Sequence, residues 1–439
     1  MNPTRRKFIR HTGALAAGIG VGSLITGESW AMVRKQISPN NKIGVGAIGI
    51  NGMGWSNLSA MLKTNPDVVC TAICDVDANV LAKRSAELEK NFSMKPVQYA
   101  DYQKLLADKN VDVVIIGTPD HWHTLMMIDA CAAGKDVYVE KPIANSIYEC
   151  RQMVTAQQKY NKVVQVGQWQ RSHAHFQSAL DLLRSGKLGK VRMVKTWAYQ
   201  GWMQNIPKQP DAPVPAGVNY DLWLGPAQKR PFNPNRFHFN FRWFWDYAGG
   251  LMTDWGVHLV DYALLGMNAK DPLTVMASGG KMAYPDDAAE TPDTLATVYD
   301  YGDFIMLWEH AQAIDGGNYG RNHGIAYIGN NGTLVLDRGG WEVIPEGKKM
   351  EAMKVQKSDD GLANHHKNFI AAVKSRDMAS LTAPITAGAT VATVCQMGNI
   401  AYKTGKKLTW DKSKQLFTDA SANQLITPAY HNQYKLPKL

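Results

Sequence analysis

Lys42-Ile43-Gly44-Val45-Gly46-Ala47-Ile48 runs directly into Gly49-Ile50-Asn51-Gly52-Met53-Gly54 and then into the helix-like Trp55–Leu62. The first segment is a mostly apolar run of the kind that a parallel strand buried on both faces requires. A strand that enters a helix through a glycine-rich turn aims backbone N–H groups and a helix N-terminus at one point, where a dinucleotide pyrophosphate can sit. Gly49 and Gly54 stand at the first and third glycines of G-x-G-x-x-G, while Asn51 stands at the second with Gly52 beside it. Asparagine tolerates positive φ, but its side chain crowds the closest backbone approach, so a plain tight turn stays open on this stretch alone.

The next strand strengthens the dinucleotide reading. Val68–Cys74 is again buried in character, and Asp75 comes about twenty residues after the turn, where a carboxylate accepts from ribose hydroxyls. A carboxylate there favours NAD over NADP because it repels a 2′-phosphate; Lys83 and Arg84 are the residues that would soften the preference. Asp112–Gly117 reads as a third strand ending in Thr118-Pro119-Asp120-His121-Trp122-His123, followed by a helix over Thr124–Ala133. The strand after it, Lys135–Glu140, is stopped by Pro142 just after Lys141, which puts Lys141 at a strand's carboxyl end. Ligands bind at that edge of an open parallel sheet, so the lysine is placed for proton transfer or for holding a substrate hydroxyl, although a solvated Glu140/Lys141 pair reads the same way. With a helix over Ser146–Lys159 and a strand over Val163–Val166, the βαβ alternation implies a parallel, doubly wound α/β domain over residues 40–167.

Beyond Gly167 the alternation stops. His173–Leu183 reads as a helix and Val191–Tyr199 as a strand, followed by the proline- and tryptophan-rich loop Gly201–Pro234. Strand-like runs near 273–278, 294–301, 304–309, 325–329 and 333–336 have no regular helices between them. This is the pattern of an α+β domain on a mostly antiparallel, open sheet over 168–410, with helices again at His366–Ser375 and Ala389–Thr404. The last helix is expected to pack back on the first domain, and 411–439 reads as a C-terminal tail.

A chain of 439 residues with 45% hydrophobic and 20% charged residues is globular and too long for one ordinary core. Thr4-Arg5-Arg6-Lys7-Phe8-Ile9-Arg10, the apolar run Thr12–Ile25 and Ser29-Trp30-Ala31 read as a twin-arginine export signal over 1–31, against an N-terminal amphipathic or anchor helix, and the expected location of the mature protein is the periplasm. The apolar run is too short to span a bilayer, so no membrane span is expected in the mature protein. Cleavage after Ala31 would lower the formal charge from +10 to +7; with no basic block or aromatic-basic stripe, that charge reads as solubility and not nucleic-acid binding. Cys70, Cys74, Cys131, Cys150 and Cys395 are odd in number and scattered, and read as buried thiols.

Four motifs in order, the Gly49–Gly54 turn, Thr118–His123, Glu140-Lys141-Pro142 and Gly249-Gly250-Leu251-Met252-Thr253-Asp254-Trp255-Gly256-Val257-His258-Leu259-Val260-Asp261, resemble those of the Gfo/Idh/MocA oxidoreductases, most closely their exported members. The resemblance covers about Asn41 to Trp410. It implies an N-terminal Rossmann domain, a C-terminal domain whose open sheet often mediates dimers or tetramers, a nicotinamide cofactor in the cleft between them, and carbohydrate or polyol substrates. It makes Lys141 the catalytic lysine, and Asp254 and His258 the Asp-x-x-x-His pair with the histidine as acid/base. Gly49, Asn51, Gly52, Gly54 and Asp75 take the dinucleotide contacts; Thr118, Pro119, His121 and Glu140 line the nicotinamide side.

The residue chemistry is compatible with those roles. A spacing of four puts Asp254 and His258 on one face if the segment is helical, so the carboxylate can fix the imidazole's tautomer and raise its basicity. The alternative is an aspartate capping a helix that carries a histidine in its first turns. Lys141 can polarise the same substrate oxygen, or depress the histidine's pKa by like-charge proximity. Trp169 and Trp255 adjoin motif residues and are the tryptophans nearest the chemistry; Gln168, Arg171 and His173 are candidates to bind substrate hydroxyls or carboxylates, against ordinary surface polarity. His121/His123, His173/His175, Asp254/His258 and His365/His366 have metal-ligand chemistry, but nothing in the sequence makes them converge, and no metal is assigned. The leading expectation is an NAD-dependent oxidoreductase acting on a sugar, glycoside or polyol. An exported enzyme needs its cofactor held and recycled, which promotes a glycoside hydrolase that oxidises C3 transiently and eliminates the aglycone. A non-catalytic sugar-binding protein is the third possibility, disfavoured by the joint presence of Lys141, Asp254 and His258.

Overall fold

The computed structural model describes residues 42–439; the export signal read over 1–31 lies outside the described residues. β1 (Ile43–Ile48), buried throughout, leads through the glycine turn into α1 (Met53–Thr64). β2 (Val68–Cys74), α2 (Ala78–Phe92), β3 (Val97–Tyr99), α3 (Tyr102–Ala107), β4 (Val113–Ile116), α4 (Asp120–Ala132), β5 (Asp136–Val139), α5 (Ile147–Tyr160) and β6 (Val164–Val166) follow. The six strands pair in parallel in the order β3-β2-β1-β4-β5-β6. Strand order therefore reverses between β1 and β4, and their carboxyl ends open the crevice in which doubly wound sheets bind ligands.

α4 begins four residues earlier than its apolar run suggests. Pro119 supplies the fixed φ at its N-cap, and Asp120 in the first turn suits the positive end of the helix dipole. His121, Trp122 and His123 are consequently buried on a helix rather than spread along a loop.

The second half contains α6 (Ala174–Arg184), β7 (Val191–Gln200), α7 (Tyr220–Leu224), α8 (Gly250–Asp254), α9 (Gly256–Met267), β8 (Thr274–Gly280), β9 (Thr294–Asp300), β10 (Ile305–Gln312), β11 (His323–Gly329), β12 (Gly332–Asp337), β13 (Gly340–Pro345) and β14 (Met353–Gln356). Then come α10 (Gly361–Ser375), α11 (Ile385–Thr404), β15 (Leu408–Asp411), β16 (Leu416–Phe417) and α12 (Ala420–Asn423). Its ten-stranded sheet has the order β14-β13-β12-β11-β7-β10-β9-β8-β15-β16. The pairs are antiparallel except β7 with β10, whose long excursion supplies the crossover that a parallel pair needs. Phe176, Tyr262, Trp308, Tyr299 and Tyr327 belong to the core that fixes α6, α9 and α11 on this sheet.

Both α10 and α11 return to the first half. His366 Nε2 meets Asn57 Oδ1 at 3.2 Å, its ring lies 4.7 Å from that of Tyr138, and the Gln165 amide donates to the His365 carbonyl at 2.8 Å. The stretch read as a tail is packed as well: the Tyr430 hydroxyl donates to Glu149 Oε1 at 2.6 Å, and Tyr434 lies edge-on to Trp122. All five cysteines are buried free thiols, and no helix among the described residues is long and apolar enough to cross a membrane.

Candidate active site

Three glycines meet at the turn. Gly49 has φ +75°, and a Cβ on Gly54 would fall 2.0 Å from the Gly49 carbonyl oxygen, so α1 approaches β1 only because position 54 has no side chain. A Cβ on Gly117 would meet the Gly54 Cα at 2.5 Å, so the start of α1 is also pressed against the end of β4. A Cβ on Gly52 would meet nothing, and no side chain caps the N-terminus of α1. An uncapped helix start beside open space fits a pyrophosphate.

Asp75 closes the turn from β2: it accepts from the Ile50 and Asp77 backbone N–H groups at 2.9 and 3.1 Å. Burial lifts its pKa to about 6 against the pull of these donors. Arg84 does not serve a 2′-phosphate. It donates to the Ile50 and Asn51 carbonyls, pairs with Glu87 and lies over Trp55.

A cavity of about 570 Å³ extends from Gly49, Asn51, Gly52 and Asp75 past Thr118, Pro119 and Asp120 to Glu140 and Lys141. Phe237, His238, Phe239, Phe241 and Arg242 from the second half also line it. His238 lies within 3.1 Å of Asn51 Nδ2 and 3.4 Å of Asp77 Oδ2, tying this segment to the turn.

At the inner end, Lys141 donates to the backbone oxygen and the Oδ1 of Asp254 at 2.9 and 3.0 Å. Arg242 Nε donates to the same Oδ1 at 3.2 Å. Burial alone would raise the Asp254 pKa, but the two cations overcome it and hold the carboxyl at about 2. The expected Asp254–His258 couple is therefore corrected: Trp255 separates α8 from α9, and the carboxylate is committed to Lys141 and Arg242. His258 is buried, and its Nδ1 has no hydrogen-bond partner. Burial, then the positive charges of Lys141 and Arg338, push its pKa well below the ordinary histidine range, so it is a neutral base at pH 7.

Glu140 is held rather than free. It accepts from Asn57 Nδ2 at 2.7 Å, and its carboxylate fills the space that a Cβ on Gly167 would occupy. Burial raises its pKa. His123 spans the Thr118 and Pro142 carbonyls at 2.8 Å each and so joins the two loops that frame Lys141. Asp120, absent from the sequence-based set, lines the cavity, and burial raises its pKa well above the usual range against the pull of Arg242.

His121 is not placed with the cavity. Its Nε2 faces the Trp223 carbonyl at 3.2 Å and its ring packs on Trp223 and Tyr247, so it serves the junction between the halves. Arg171 is likewise not available to substrate, because Nε and one Nη grip both oxygens of buried Asp261 at 2.7 and 2.6 Å. Gln168 is 2% exposed, with an unpartnered Oε1. Trp169 lies 6.2 Å from His258, ring to ring, and Trp255 lies 5.0 Å from His323; neither tryptophan nor His258 is among the residues lining the cavity, so this cluster stands behind Asp254. Arg242 stands in a short 3-10 helix and Arg338 in a turn, neither with a periodic signal; the run of aromatic residues around Arg242 is its one sequence cue.

His173, His175 and Asp359 offer one ligand atom each within 4.8 Å of one another, the spacing a metal would need. Asp359 also accepts from the Ala174 backbone and the Asn364 amide, so it caps α6 where it stands.

Fold and site together define a two-domain, dinucleotide-binding oxidoreductase architecture. Residues 43–168 match the model of the oxidoreductase family's NAD-binding Rossmann fold, and 181–436 that of its C-terminal alpha/beta domain. The chain belongs to the Gfo/Idh/MocA oxidoreductase family. It is 32% identical over 150 residues to an inositol 2-dehydrogenase of Salmonella typhimurium, covering 34% of this chain and 44% of that one. It is 30% identical over 176 residues to an α-N-acetylgalactosaminidase of Shewanella oneidensis, covering 37% and 38%. The matches thus span less than half of these curated relatives. An aldose-aldose oxidoreductase from Caulobacter crescentus shares the fold with a TM-score of 0.63 at 18% identity, covering 84% of this chain and all of that one.

Proposed function

We propose that this chain oxidises or reduces a carbinol carbon of a sugar, glycoside or polyol with a tightly held NAD. The observation that carries the reading is the placement of Lys141, delivered by β5 to the inner end of the dinucleotide cavity and fixed there by Asp254. Gly49, Gly52, the start of α1 and Asp75 would hold the cofactor, whose nicotinamide supplies the hydride acceptor when bound. Lys141 holds the substrate oxygen, while neutral His258 takes its proton as the carbonyl forms. Asp254, itself gripped by Arg242, fixes the lysine, and Phe237, His238, Phe239, Phe241 and Arg242 of the second half wall the cavity.

The Shewanella relative supports a second reading, hydrolysis through transient C3 oxidation and elimination, in which the cofactor is restored at each turnover. Export through the twin-arginine route is part of the proposal and rests on Thr4–Ala31; it explains why the cofactor must stay bound. Association of the open sheet into dimers or tetramers is a further expectation, read out by light scattering. Purified protein is denatured and any released nucleotide identified by mass spectrometry, then intact protein is mixed with a glycoside panel while reduced nicotinamide is followed. Stoichiometric NAD that becomes reduced supports the dehydrogenase; aglycone release without net reduction supports the hydrolase; no nucleotide and no binding of added NAD or NADP refutes both.

A further inference from the structure

A guanidinium withdrawn from water needs a counter-charge or a full set of acceptors, since burial of an unpaired charge is costly. Arg84, Arg171, Arg230, Arg236, Arg242 and Arg321 each have a carboxylate within ion-pair distance. Arg338 does not. It has no carboxylate within that distance among the described residues; its one hydrogen bond runs to Gln170 Oε1 at 3.3 Å, and its Nε is buried without a partner. Its Cζ lies 4.9 Å from the ring centre of Trp169 and 4.7 Å from that of Trp255. Two indoles cover the group and hold it beside His258, on which Trp169 also packs.

Asp254 is the one counter-charge that acts on Arg338, and it does so from beyond ion-pair distance. Asp254 is already shared by Lys141 and Arg242, and the neighbouring His258 and His323 are neutral. A planar fork with donors to spare, fixed between aromatic rings beside a proton-accepting histidine, matches a planar carboxylate carried by the molecule whose hydroxyl reacts. We infer that Arg338, clasped by Trp169 and Trp255, binds a carboxylate of the substrate, which makes the preferred substrates acidic sugars of the uronate type. This rests on the sugar oxidoreductase reading and narrows it.

The test uses NAD-loaded protein with D-glucuronate, D-galacturonate and D-mannuronate against glucose, galactose and mannose. Calorimetric binding and nicotinamide reduction are measured for wild type, R338Q and R338K, each checked for retained NAD. Wild type should prefer at least one uronate over its neutral parent. R338Q should cut that preference tenfold to about a hundredfold, the worth of a charge-assisted hydrogen bond, with R338K restoring part of it. A merely structural arginine would lower acidic and neutral sugars together and leave the ratio unmoved, which overturns the inference. Uronate binding that depends on Arg338 without any nicotinamide reduction upholds this inference while sinking the redox reading. Neutral sugars reduced as well as or better than uronates do the reverse, and no uronate binding at all overturns the inference.

Discussion

Asp254→Asn tests the electrostatic assembly of the site. The carboxylate receives Lys141 and Arg242 in a buried setting, and its pKa of about 2 lies below the ordinary 3.8. That difference corresponds to roughly 2 kcal/mol in favour of the folded, ionised form. Because the folded pKa is the lower one, the stabilisation is fully present above about pH 4 and fades as pH falls toward 2. Asparagine also leaves two cations facing each other, so the loss at pH 7 should reach about 3 kcal/mol. Urea unfolding of both proteins at pH 7 and pH 3 should show the carboxylate's own contribution roughly halved at the lower pH. Freed from its anchor, Lys141 is misplaced, and kcat/KM should fall about a hundredfold or more. A variant that loses the same stability at both pH values, or keeps its kcat/KM, would refute the claim that Asp254 acts by holding Lys141.

Gly54→Ala forces a Cβ against the Gly49 carbonyl; it should cost about 1–3 kcal/mol in unfolding titrations and weaken NAD binding at least tenfold in fluorescence titrations. Asp75 ionises as pH rises through about 6, so NAD affinity measured by calorimetry should tighten between pH 5 and 7 by up to about tenfold, and Asp75→Asn should flatten that dependence. Asp120→Asn should match wild type in thermal stability at low pH, where both side chains are neutral. Because burial raises the aspartate's pKa, wild type should lose ground to the variant as pH climbs beyond the ordinary carboxyl range.

The turn and five of the six strands of the first sheet were legible because parallel strands buried on both faces have to be apolar, whereas the short, largely exposed edge strand β3 and the order of the strands were not. Lys141 was legible for a related reason, since Pro142 ends its strand at the ligand edge. The partnership around it was not. Lys141 and Asp254 are 113 residues apart, and Arg242 comes from a 3-10 segment without apolar period. The spacing of Asp254 and His258 suggested a couple, yet the break at Trp255 and the stronger pull of two cations gave the carboxylate to others. Arg171 and His121 misled because a polar residue next to a motif reads alike whether it faces a ligand or a buried partner. Edge strands such as β14, three of whose four side chains are exposed, carry little hydrophobic signal and went unread.

The central claim is hydride transfer between a substrate carbinol and bound nicotinamide under the control of Lys141. NAD-loaded protein is mixed with sugars deuterated at single carbons, and the nucleotide is recovered by denaturation and weighed by mass spectrometry. Deuterium should appear in the nicotinamide with one labelled position and be lost at least a hundredfold in rate in Lys141→Ala that still retains NAD. Sugar and NAD both bound, with no label transferred from any position, would contradict the account.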